Sequence, residues 1–131
     1  MAENQIYAEW ATVLTGLALG CLATDTSRFP TDRGHFERAL RDAWPGWPGK
    51  DAYGWVRPKE FGIYGIRSTL MHPSGYATWE WSHGIRPALA VDSAAPDDVL
   101  AQFAADQPVG VEAWRELARA VTQQLPAPDG A

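Results

Sequence analysis

The chain holds one cysteine, Cys21, so it has no way to close an internal disulfide. A lone thiol and the lack of a basic export leader (only Glu3 and Glu9 carry charge before Trp10) point to a reducing cytoplasm. Long apolar runs are missing too. The uncharged stretch Trp10–Thr24, interrupted by Gly16 and Gly20, is too short to span a bilayer. Histidine is sparse and scattered, with His35, His72 and His83 far apart in sequence. His72 and His83 stand about 25 Å apart along an extended strand, so they cannot share one ion, and no metal is expected. The spacings GxGxxG, GxxxxGK[ST], HExxH, CxxC and GxSxG are all absent, as is an acidic calcium loop. No cofactor is expected either.

Lysine is outnumbered by arginine, two to nine, and net charge is −5 with a pI near 5.0. That balance argues against duplex nucleic acid as a partner, because phosphate neutralisation dominates such binding. The charge is unevenly placed. Residues 28–86 carry nine of the eleven basic side chains and a net +3, while the remainder carries −8.

Against these shortages stands an excess of tryptophan: seven in 131 residues. Each indole brings a large apolar area and an N–H that seeks an acceptor, which suits either a heavy core or a stacking surface. Hydrophobic residues at 46% and charged ones at 21% describe a chain able to bury a sizeable core. One domain over residues 1–125 and a disordered tail over 126–131 are expected.

The stretch Phe61–Ser82 reads as a β-hairpin closed at His72-Pro73-Ser74-Gly75, where Pro73 presets φ and Gly75 permits the reversal. Two registers compete. One places Arg67 opposite Glu80 and collects Tyr64, Trp79, Trp81 and His83 on a core face; the other, with a bulge at Gly75, mixes apolar and polar residues on both faces. Burial selects the first, since a slip of one residue turns every side chain over. Around the hairpin the pattern predicts helices over 6–24, 31–44, 97–105 and 111–125, an edge strand over 52–57 and a third strand over 86–91. The expected fold is a single α+β domain in the order α-α-β-β-β-α-α, with a small antiparallel sheet packed against helices. Gly16 and Gly20, four apart on the first helix, read as a packing device.

No site has a specific motif. Trp44-Pro45-Gly46-Trp47-Pro48-Gly49 is a stiff tandem whose two indoles are expected on a loop, at least one of them exposed and Trp47 ahead of Trp44, which still belongs to the helix stripe. With Tyr53, Trp55 and Arg57 they form the candidate partner-binding set, suited to anchoring another protein or a second copy of the chain. The leading expectation is therefore a non-catalytic binding or adaptor domain. A second reading is a cofactor-free enzyme or small-molecule binder. Its pocket would use His83 beside Tyr64 for proton transfer and Glu80, desolvated between two Trp, as a base. The plain structural reading of the same residues is a buried His–Tyr hydrogen bond and an Arg67–Glu80 surface pair. A third reading stacks single-stranded nucleic acid on Trp44, Trp47 and Trp55.

Overall fold

The computed structural model describes residues 3–24, 33–53, 77–80, 86–89 and 95–124. Four helices dominate them: α1 (Glu3–Ala23), α2 (Arg33–Ala43), α3 (Pro96–Ala105) and α4 (Val111–Gln123). Two 3-10 turns, Trp44–Gly46 and Lys50–Tyr53, follow α2, and β1 (Ala77–Glu80) pairs antiparallel with β2 (Arg86–Leu89).

α1 is the axis of the assembly. Val13, Leu14, Thr15, Leu17, Ala18, Leu19 and Cys21 are all buried, so this helix has no solvent stripe over that length. An all-round apolar helix needs neighbours all round. α3, α4 and both strands pack against it, and α2 docks on α4. Thr15, mid-helix and buried, satisfies its hydroxyl by donating to the Ala11 carbonyl oxygen at 2.8 Å. α4 is the clearest amphipath. It buries Trp114, Leu117, Ala118 and Val121 and turns Glu112, Glu116 and Arg119 outward. α3 starts on Pro96 with Asp97 and Asp98 in its first turn, where a fixed φ and negative charge both suit the helix N-terminus.

Gly16 and Gly20 set how closely α4 approaches α1. A Cβ on Gly16 would lie 2.4 Å from the Trp114 indole, and one on Gly20 would lie 2.7 Å from the Trp114 carbonyl oxygen. The two glycines thus form a seat for one tryptophan and the backbone that carries it.

The expected α+β architecture is corrected by these helices. The described fold is mostly helical, and its described β structure is one pair of four-residue strands rather than a sheet layer supporting helices. The expectation gave the organising layer to the stretch 61–82, whose described part, Ala77–Glu80, is a single four-residue strand. The all-round burial of α1 supplies the organising surface instead. The strand predicted over 86–91 is present as 86–89, and its partner is 77–80, in the register Ala77↔Leu89 and Glu80↔Arg86. The proposed hairpin turn, the Arg67–Glu80 pairing and the 126–131 tail lie outside the described residues. The edge strand over 52–57 is corrected at its start. Ala52 and Tyr53 belong to a 3-10 turn in which the Ala52 N–H donates to the Gly49 carbonyl oxygen.

Candidate functional site

Pro45 ends α2 as expected, but the chain does not open into a loop there. Trp44–Gly46 tightens into a 3-10 turn, and the Trp47 N–H donates to the Trp44 carbonyl oxygen at 3.2 Å. Trp47 itself is extended, with φ −76° and ψ 125°. A second tight turn follows at once, the Lys50 N–H donating to the Trp47 carbonyl oxygen at 3.1 Å. Two successive turns aim the Trp47 indole inward. Gly49 is required for that path, because a Cβ there would stand 2.7 Å from the Trp47 ring.

The expectation of an exposed Trp47 is therefore corrected: only 3% of the residue is accessible. Its ring lies 5.1 Å from Trp114 at 49° and 5.9 Å from Tyr53 in a near-parallel stack. Tyr53, 2% exposed, tilts against Trp114 at 5.6 Å, and Phe103 meets the same indole edge-on at 5.5 Å. Trp114 is the centre of this cluster, in contact with an aromatic ring from three different segments. Both polar tips on the WPG side are satisfied. Trp47 Nε1 donates to the Ala113 carbonyl oxygen at 2.5 Å, and Tyr53 Oη pairs with Gln107 Oε1 at 2.6 Å. Trp114 Nε1 is buried with no acceptor among the described residues.

Trp44 is half-buried and tilts against Trp47 at 5.3 Å. Of the five sequence-predicted partner-binding residues, the structure gathers Trp44, Trp47 and Tyr53 and places the last two in the core. Trp55 and Arg57 lie outside the described residues, as do His83 and Tyr64. Glu80 is described only as the strand partner of Arg86.

Beside the cluster runs a feature that the sequence reading missed. Where the end of α2 and the first WPG turn lie along α4, an open groove of about 390 Å³ remains. Ala43, Trp47, Leu117 and Ala120 form its floor, Gly46 and Pro48 flank one end, and Asp42 and Glu116 stand exposed on its rims. The available signal was the i, i+4 pair Glu116 and Ala120, which borders the α4 stripe without belonging to it.

The cations near this face are largely engaged elsewhere. Arg41 binds Glu37 at 2.5 Å, and Arg115 bridges Asp97 at 2.6 Å and Glu112 at 3.2 Å. Arg119 lies 3.6 Å from Glu112, and Lys50 Nζ donates to the Pro45 carbonyl oxygen at 2.6 Å. Asp42 and Glu116 have no ion-pair partner among the described residues.

Nucleophilic chemistry finds little support in Cys21. Burial in α1 pushes its thiol up to about 12, so the reactive thiolate is suppressed at neutral pH. No group of three or more His, Cys, Asp or Glu side chains is placed to hold a metal ion among the described residues. No helix among them is long and apolar enough to cross a membrane. Comparison of the chain with protein-family models, curated proteins and solved structures finds no match.

Proposed function

We propose that this protein is a non-catalytic binding domain of the cytoplasm that receives another polypeptide in the groove between α2 and α4. The observation that carries the reading is the groove itself. Its floor is apolar and backed by the rigid aromatic cluster, so an inserted side chain meets a surface that is already formed. The buried positions of Trp47 and Tyr53 move the recognition surface away from the WPG indoles, which instead brace the groove from below. Half-buried Trp44 packs on Trp47 and does not line the groove.

A photo-crosslinking residue at Ala120, compared with one at exposed Ala105 on α3, tests the proposal in cells. A defined adduct from position 120 alone, whose purified partner then binds the protein in solution, is the expected outcome. Equal or no adducts from the two positions would remove the groove from consideration.

A further inference from the structure

We infer that the groove's occupant is a basic amphipathic segment of a partner protein, with apolar side chains on the groove floor and Lys or Arg against Asp42 and Glu116. The inference rests on the docking reading above and adds the chemistry of the partner. Two observations carry it. The apolar lining comprises Ala43, Trp47, Leu117 and Ala120, accessible chiefly at Ala120, while Asp42 and Glu116 stand exposed on either side. Those carboxylates carry no ion pair among the described residues, and neither do Asp51, Asp98 and Asp106. Glu37, Glu112 and Asp97 are each taken by an arginine, and Asp42 and Glu116 are not. Even Arg38, one turn before Asp42 on α2, makes no ion pair with it.

An acidic occupant would bring like charges together at both rims, a repulsion that suppresses wrong partners. A neutral apolar occupant would leave both carboxylates partly desolvated without compensation. A cationic one neutralises both and keeps its apolar contacts. The arrangement is that of an amphipathic segment laid into a groove, with floor contacts giving affinity and rim charges giving selection.

The test uses two fluorescein-labelled peptides of the same helical pattern, Leu on one face, with Lys on the other in the first and Glu in the second. Fluorescence anisotropy with the full chain should show the Lys peptide binding and weakening as salt rises, and the Glu peptide not binding. The double variant Asp42→Asn/Glu116→Gln should lose about fivefold to tenfold in affinity for the Lys peptide at unchanged thermal midpoint. Asp106→Asn, exposed at the end of α3, should lose nothing.

Equal binding of the two peptides, or an undiminished affinity in the double variant, overturns the inference. Ala120→Trp, which fills the floor, separates this failure from the failure of the groove. If both peptides bind and Ala120→Trp displaces both, the groove stands and only the basic partner falls. If Ala120→Trp displaces neither, or if no binding is seen at all, both fall.

Discussion

The indole N–H of Trp47 donates to the main-chain oxygen of Ala113, 66 residues further along the chain. This bond fastens the WPG turns to the first turn of α4. It also sets the sign of the first prediction.

Trp47→Ala is expected to cost about 3–5 kcal/mol, the range for removing a buried aromatic side chain. A surface indole would cost under about 0.5 kcal/mol. Trp47→Phe should lose less, because much of the buried area survives while the N–H donor goes. Urea unfolding followed by far-UV circular dichroism distinguishes these cases, and a near-neutral Trp47→Ala would refute the buried placement.

Gly16→Ala and Gly20→Ala should each destabilise by about 1–3 kcal/mol through overpacking against Trp114. On helix propensity alone both changes would stabilise by about 1 kcal/mol. Gly46→Ala is the control, since a Cβ there meets nothing within 4 Å. Thermal midpoints that rise for the two α1 variants would show that α4 does not sit where described.

Cys21 gives a pH signature. Its thiol titrates near 9.0 when unperturbed and at about 12 in the folded chain. The protonated form is the one that folding favours, so its contribution is complete below pH 9 and is lost as pH rises towards 12. Between those values the unfolded chain has released the proton and the folded one has not, giving a slope of about 1.4 kcal/mol per pH unit at most. Cys21→Ala should flatten the decline of stability across that window. In the native protein at neutral pH, Cys21 should react with a thiol reagent only as fast as the chain opens.

Truncation after Gly110 removes Trp114 and the whole of α4, and with them the partner of α1 and α2. The remaining fragment is expected to lose cooperative unfolding, because isolated helices of such length are marginal. A sharp calorimetric transition in residues 1–110 would contradict the central role given to Trp114.

The helices were legible because their apolar residues recur at helical spacing and their ends carry Pro45, Pro96 and Asp97. Val111, Trp114, Leu117, Ala118 and Val121 declared α4 without any tertiary knowledge. Trp47 was not legible in the same way. Proline and glycine at 45, 46, 48 and 49 forecast tight turns, but the direction of an indole between two turns depends on what lies across the chain. What lies there is Ala113 and Trp114. The fold class failed for a related reason. The sequence pattern assigned the organising role to the ribbon of 61–82, whereas among the described elements α1 holds it because Leu19 and its neighbours are buried on every side, which periodicity alone only hints at. The groove was invisible in the sequence because Ala43 and Ala120, which meet on its floor from α2 and α4, are unremarkable separately.

Gly16 and the Trp114 indole form one packing unit, while Gly20 meets the main chain at Trp114 and the Ala118 Cβ. The indole fits only above an absent side chain, and the absent side chain is tolerable only because the indole fills the space. A change at Gly16 or Trp114 alters what the other can accept, so effects at those two sites will not add. Sequences sharing this fold should accordingly exchange these positions together, with a smaller residue at 114 accompanied by alanine or serine at 16.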